Sequence, residues 1–274
     1  MGKYELIALD MDGTLLNSSL KVSEGNREAV RRACAAGKHV VLSTGRCLSE
    51  IRDTLKVLPE IRYLVCENGS CVYDVKHERT IHVDPVPVEE IQHILKLARG
   101  ERTIIQVFHE NMSYFNAKDD SWLEACRVSN YRDVFHRCSV FDAKLFDTYD
   151  ARPFRIEKIN LYFENVRDRD RFKTMLADRP LTISDSLGYM IEIVSDVADK
   201  GRGLKMLCEH LQLPVEKTIA VGDSMNDIQI LNTAGFSAAM GNACPEAKEA
   251  ADFITDDCDH DGVAKVIDTF LMGE

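Results

Sequence analysis

The 274-residue chain is long enough for one large domain or two smaller ones. Hydrophobic residues at 45% and charged residues at 29% give the balance of a globular protein with a sizeable core. A formal net charge of −11 argues against nucleic acid and anionic lipid as partners, because both are bound through basic patches. No apolar run reaches the length of a membrane-spanning helix, so no membrane partner is expected. The N-terminal MGKYELIALD lacks the apolar stretch and cleavage site of a secretory signal, and its Met-Gly is not continued as a myristoylation signal. The nine cysteines form no C-x-x-C pair, which suits neither a disulfide framework nor a zinc site. A cytoplasmic protein with reduced thiols is the expectation. Cys47, beside Arg46, is the one cysteine singled out for a test of reactivity.

In chain order, Tyr4 to Leu9 reads as a short strand that stops at Asp10. Ser23 caps a helix to about Ala36, with Val30, Ala33 and Cys34 as its apolar stripe and Gly37 as its stop. Val40 to Leu42 is a second strand, ending at Ser43-Thr44-Gly45-Arg46, and a helix follows to about Leu58. Tyr63 to Cys66 is a third strand, ending at Glu67-Asn68-Gly69. Such alternation implies a parallel sheet with helices on its faces. Beyond Pro85 and Pro87, residues Val88, Ile91, Ile94, Leu95 and Ala98 repeat at helical spacing. Strands are expected over Thr103 to Phe108, Ile156 to Phe163 and Leu181 to Ile193, with a helix over Asp168 to Ala177. Residues 131–155 mix charges and aromatics without a clear period. The α/β pattern resumes with a helix over Leu204 to Leu211, a strand over Thr218 to Val221 ending at Gly222-Asp223, and a helix over Ile228 to Asn232. A strand at Phe236 to Met240 and a helix over Gly262 to Leu271 complete the chain. The middle block therefore interrupts one α/β domain, an insertion that costs little where chain ends lie close together.

Four segments sit at strand ends or a helix start: Asp10-Met11-Asp12-Gly13-Thr14, Ser43-Thr44-Gly45-Arg46, Lys200-Gly201 and Gly222-Asp223-Ser224-Met225-Asn226-Asp227. In an open parallel sheet, ligands bind beyond the carboxyl ends of the strands, so distant residues meet in one crevice. Asp10, Asp12, Asp223 and Asp227 would bring four carboxylates there, which cannot all ionise without a cation. Oxygen ligands without His or Cys favour Mg2+ over zinc. Lys200 adds a point charge for a nucleophilic carboxylate and a phosphate oxygen. A carboxylate can attack phosphorus, splitting one displacement into two, and needs an acid nearby for the leaving oxygen. Gly13 permits the turn that brings Asp12 close, and Thr14 is placed to hydrogen-bond locally. The Thr44 hydroxyl and backbone N–H groups around Met11 and Gly45 are candidates for phosphate binding.

These segments, together with ENG at 67–69 and DHDGVAKVI at 259–267, resemble the haloacid dehalogenase superfamily over nearly the whole chain, and most closely its Cof-type branch of metabolite phosphatases. The resemblance implies an α/β fold: a doubly wound, Rossmann-like parallel-sheet core from residues 1–85 and 191–274, with an inserted α/β cap over 86–190. It implies Asp10 as nucleophile and metal ligand, Asp12 as acid/base with its carbonyl on the metal, and Asp223 as a further magnesium ligand. It implies Thr44, Lys200 and Asn226 at the phosphate, and Asp227, Arg46 and Asn68 in support, with Arg46 either in a structural ion pair or on the substrate. Asp199 departs from the small residue the family often has before Lys-Gly. His109 and Trp122 are expected to pack or lie at the surface, and the acidic run at 256–261, whose spacing does not match an EF-hand, to be a solvated turn. The expected partner is a small phosphorylated metabolite: a sugar phosphate, pyridoxal phosphate, a flavin precursor or a nucleotide. A phosphomutase and a non-catalytic phosphometabolite-binding protein are the alternatives. The full set of Asp10, Asp12, Lys200 and Asp223 weighs against the latter.

Overall fold

The computed structural model describes residues 3–101, 103–186 and 188–273. The first strands are β1 (Leu6–Leu9), β2 (His39–Ser43), β3 (Tyr63–Cys66), β4 (Cys71–Asp74) and β5 (Arg79–Val83). A middle series follows: β6 (Thr103–His109), β7 (Met112–Phe115), β8 (Ser139–Phe141), β9 (Lys158–Phe163), β10 (Leu181–Asp185) and β11 (Met190–Ser195). The last three are β12 (Thr218–Gly222), β13 (Phe236–Ala239) and β14 (Phe253–Ile254). The chain divides into two compact units: residues through Arg46 with Ile51–Val83 and everything from Asp199 onward, and Asp84–Ala198 with Cys47–Glu50.

The first unit holds an eight-stranded sheet in the order β14-β13-β12-β1-β2-β3-β4-β5. From β14 to β3 it is parallel, and β4 and β5 extend it as an antiparallel edge. The central strands, LIAL and TIAVG, are buried along their whole length, as strands covered by helices on both faces must be. The chain runs outward from β1 through β2 and β3, then returns to the other side of β1 with β12. That reversal makes the carboxyl ends of β1 and β12 the place where a doubly wound sheet opens a crevice. Ser23 caps the helix Glu24–Ala35, its side chain accepting from the Asn26 N–H.

The second unit is a six-stranded sheet, β10-β11-β9-β6-β7-β8, antiparallel except for β7 against β8. Helices Val88–Arg99 and Val166–Leu176 cover one face, where Ile91, Ile94, Phe172 and Leu176 pack with Ile105, Val107, Ile159, Leu161 and Ile193. The single strand expected over Leu181 to Ile193 is instead a hairpin, β10 pairing with β11 from Leu181–Ser195 to Asp185–Ile191. Gly188 lies in its turn with φ +58°, where an added Cβ would meet the Cys126 carbonyl at 2.6 Å. The block at 131–155 carries helices Arg132–Cys138 and Leu145–Ala151 around β8. The helix read from Asp168 starts at Val166, with Asn165 as its cap.

Candidate active site

Asp10 follows the last residue of β1, and its N–H donates to the Val221 carbonyl of β12 at 2.9 Å. The chain then turns sharply: Thr14 and Leu16 N–H groups both donate to the Met11 carbonyl. Gly13 is required twice over. Its φ is +81°, and a Cβ there would lie 2.6 Å from Asp223 Oδ2. The Asn242 side chain clamps the same turn, donating to the Gly13 carbonyl at 2.8 Å while its Oδ1 accepts from the Cys258 N–H. Nothing in the sequence of one chain marks Asn242, since it lies in a loop 229 residues away from Gly13.

The charged centre is built from three carboxylates and one ammonium. Lys200 Nζ lies 2.6 Å from Asp10 Oδ1 and 2.6 Å from Asp227 Oδ1, and all three side chains are buried. Carboxylate oxygens of Asp10, Asp223 and Asp227 lie within 4.8 Å of one another. Asp227 is fixed from its other oxygen, which accepts from the Asp223 and Ser224 N–H groups at 3.0 Å. Asp223 Oδ1 accepts from the Thr14 hydroxyl at 2.9 Å, so Thr14 bonds across the sheet and not locally as the sequence had implied. Burial pushes the Asp10 carboxyl well above the usual range; Lys200 opposes this, and Asp227 and Asp223 add to it. Burial and then Asp227 push Asp223 up to about 6. Burial works against the Lys200 charge too, but Asp10 and Asp227 outweigh it and hold the ammonium above its ordinary range. Lys200 reaches this position because it opens the helix Lys200–Leu211, which Asp199 caps by accepting from the Arg202 N–H. The residue that departs from the family pattern therefore serves as the N-cap.

The Asp12 carboxylate is not part of this cluster. Arg46 holds it in a two-pronged ion pair, Nε to Oδ2 at 2.8 Å and a terminal nitrogen to Oδ1 at 2.5 Å. The cluster of four carboxylates expected from the sequence is thus a group of three, and Arg46 is in an ion pair. Thr44, at the end of β2, is buried; its hydroxyl accepts from the Arg46 N–H and its carbonyl from the Asn68 N–H. Asn68 takes a left-handed φ of 56° in the turn after β3, and its Oδ1 accepts from Asn226 Nδ2 at 3.1 Å. Asn226 is held in turn by the Ser224 hydroxyl at 2.6 Å. Met11 is buried. Gly45 lies between Thr44 and Arg46 at the end of β2. Segments from β1, β2, β3 and β12 are thus linked by side-chain and backbone hydrogen bonds. Cys47 is buried, 3.1 Å from the Ser49 hydroxyl. His109 and Trp122 pack on aromatic rings, His109 on Phe154 and Trp122 on Phe115 and Tyr162. In the acidic run, Asp256 pairs with Lys265, and Asp259 and Asp261 accept from Ser18 and Ser23.

The donor set suits a hard divalent cation. Lys200 offsets one of three neighbouring carboxylate charges, and the ligand atoms are all oxygen.

A family model described as haloacid dehalogenase-like hydrolase matches residues 7–267. The phosphatase YwpJ of Bacillus subtilis is 30% identical across 97% of this chain and all of its own length. The 5-amino-6-(5-phospho-D-ribitylamino)uracil phosphatase YcsE of the same organism is 31% identical, covering 98% of this chain and 96% of its own. The solved structure of a haloacid dehalogenase-like hydrolase from B. subtilis superposes with a TM-score of 0.86 at 28% identity, over 96% of this chain and 99% of that one. With its match spanning nearly the entire sequence, the chain belongs to the haloacid dehalogenase-like hydrolase family.

Proposed function

We propose that the protein is a magnesium-dependent phosphatase of small phosphorylated metabolites that works through an aspartyl-phosphate on Asp10. The observation that carries this reading is the buried Asp10–Lys200–Asp227 array beside Asp223. The curated relatives named as phosphatases support it. Magnesium, held by Asp10, the Asp12 carbonyl and Asp223, would supply positive charge to the phosphoryl oxygens. Asp10 attacks phosphorus and the ester P–O bond breaks, while Asp12, which must first exchange its ion pair with Arg46 for a proton, gives that proton to the leaving oxygen. Asp12 then takes a proton from the water that cleaves the acyl phosphate, releasing inorganic phosphate and restoring Asp10. Lys200 holds Asp10 in place and offsets charge on the phosphoryl group. The Thr44 hydroxyl, the Asn226 amide and the backbone at Met11 and Gly45 position the phosphate oxygens. Residues 86–190 act as the cap that selects the rest of the substrate. Release of phosphate from an aryl phosphate, dependent on magnesium and abolished by excess chelator, is the direct test. Undiminished turnover in chelator would remove the metal from the mechanism, and an isomerised ester without free phosphate would make the protein a mutase.

The acid/base role of Asp12 has its own signature. Asp12→Asn should lower turnover ~10²–10⁴-fold for an alkyl phosphate, whose leaving oxygen needs a proton. The loss should be much smaller in the first step with p-nitrophenyl phosphate, read as burst-phase release of the phenolate. Equal losses for the two leaving groups would assign the acid elsewhere.

Magnesium should also act on stability, with a set sign. The folded Asp223 carboxyl titrates at about 6 against an ordinary 3.8. Its contribution to stability is fully present below about 3.8 and lost as pH rises through about 6. That gap corresponds to ~3 kcal/mol at about 1.4 kcal/mol per pK unit. Metal-free protein should therefore be less stable at pH 7 than at pH 5, through this group. Magnesium should raise Tm by several degrees at pH 7 and hardly at pH 5. Thermal unfolding with magnesium or chelator at the two pH values checks this. The same gain at both would detach the metal from these carboxyls.

A further inference from the structure

One loop after β13 ties the end of β12 to the turn after β1. The Met240 N–H donates to the Gly222 carbonyl at 3.0 Å, and the Cys244 N–H donates to the Asp223 carbonyl at 2.8 Å. Between them in the chain, the Asn242 side chain reaches the Gly13 carbonyl at 2.8 Å. The loop is anchored in turn. The Gly241 N–H donates to the Asp256 carbonyl at 3.1 Å, and Lys248 Nζ donates to the Gly241 carbonyl at 2.6 Å. All of these residues belong to the first compact unit.

The Asn242 amide has one possible orientation. The Cys258 N–H can only donate and the Gly13 carbonyl can only accept, so Oδ1 accepts from Cys258 at 2.9 Å and Nδ2 donates to Gly13. The bond to Gly13 acts on a peptide plane that glycine leaves free to rotate. The Gly13–Thr14 peptide is held at two points: its N–H by the Met11 carbonyl at 3.3 Å, and its C=O by Asn242 through the shorter bond. Two groups proposed above as metal ligands adjoin that plane. The Asp12 carbonyl lies one peptide earlier, and the Asp223 carboxylate accepts from the Thr14 hydroxyl at 2.9 Å. Asn242 is exposed, so water competes for both of its bonds and they add little to stability. What they fix is the direction of a carbonyl.

We infer that Asn242 is a positioning residue for the magnesium site: by fixing the Gly13–Thr14 peptide, it keeps the Asp12 carbonyl and the Asp223 carboxylate in place relative to one another. The inference rests on the magnesium-dependent phosphatase reading above. Without that hold, rotation about the Gly13 backbone would carry the Thr14 hydroxyl away from Asp223 and turn the Asp12–Gly13 peptide, and glycine sets little steric barrier to either. Asn242 touches no group assigned to the substrate or the metal. Its effect passes through Gly13 alone, so it falls on how tightly the ligands hold a cation.

The test is calorimetric titration of the metal-free protein with magnesium at pH 7, parent against Asn242→Ala. Removing a group that orients metal ligands typically costs about 10–100-fold in affinity, and the variant should bind magnesium more weakly by that factor. At one magnesium concentration its gain in Tm should be smaller than the parent's, because the gain follows the ratio of concentration to Kd. The magnesium concentration for half-maximal release of phosphate from p-nitrophenyl phosphate should rise in step, and excess magnesium should restore most of kcat. Asn242→Leu, which keeps the branched shape without a donor, replaces the alanine variant if that one does not fold. Unchanged magnesium affinity in a folded variant overturns the inference, and a lower Tm beside it would mean that Asn242 only braces the loop. A fall in kcat that excess magnesium does not restore, with affinity unchanged, would place the effect on Asp10 and overturn it equally. If the parent binds magnesium but releases phosphate from no ester, the phosphatase reading fails, and the inference stands or falls on the calorimetry alone. If the parent binds no magnesium, both fail.

Discussion

Replacing Asp10 by asparagine is expected to abolish phosphate release while leaving the protein at least as stable as the parent. The amide keeps the size of the carboxylate but is not a nucleophile toward phosphorus. Loss of a nucleophile that forms a covalent intermediate costs on the order of 10⁴-fold or more. Stability should move the other way. Asp10 is buried, its carboxyl is held well above the usual range, and Asp227 and Asp223 contribute to that rise. Removing one negative charge from a group of three carboxylates served by one lysine relieves their repulsion, and Lys200 keeps its 2.6 Å pair with Asp227. The variant should therefore show no turnover and a Tm equal to or above that of metal-free parent at pH 7. It should also form no acid-stable mass adduct after acid quenching from acetyl phosphate, whereas the parent should carry a phosphoryl group on Asp10. An adduct trapped on any other residue of the parent would displace Asp10 from the mechanism. A large fall in Tm would show that the centre depends on the Asp10 charge for its fold.

Much of the centre was legible in the sequence because its residues lie at the ends of strands that periodicity locates well. LIAL before Asp10 and TIAVG before Asp223 are continuous apolar runs, and a parallel sheet turns the ends of such runs into neighbours. What the sequence withheld was set by contacts between distant residues. The side chain of Asp12 could face the other carboxylates or a cation, and only the fold shows it paired with Arg46 across 34 residues. Thr14 meets Asp223, and Asn242 holds Gly13, through loops with no periodic signal. The hairpin of β10 and β11 was read as one strand because both arms are rich in β-branched and aliphatic residues. The turn is marked only by Ser186 and Gly188.

The largest effect on stability should come from Lys200→Met. Methionine fills a similar volume but leaves Asp10 and Asp227, both buried, without the ammonium that each meets at 2.6 Å. Removing one partner from a buried charge pair costs about 3–5 kcal/mol, chiefly because the remaining charge is stranded. In a protein of this size that is a fall in Tm of roughly 10 °C. The mechanism makes two further demands. The cost should shrink at pH 5, because Asp10, whose carboxyl burial already holds well above the usual range, can then bind a proton, and protonation removes a charge whose burial is penalised. Adding Asp227→Asn to Lys200→Met should also recover part of the loss. The amide oxygen can still accept from the Asp223 and Ser224 N–H groups, so the turn survives and only the uncompensated charge is removed. Thermal or urea unfolding of the two single variants and the double variant, at pH 5 and pH 7, measures the coupling directly. Costs that simply add, and do not change with pH, would mean that Lys200 stabilises by packing alone and that the buried charges are already satisfied without it.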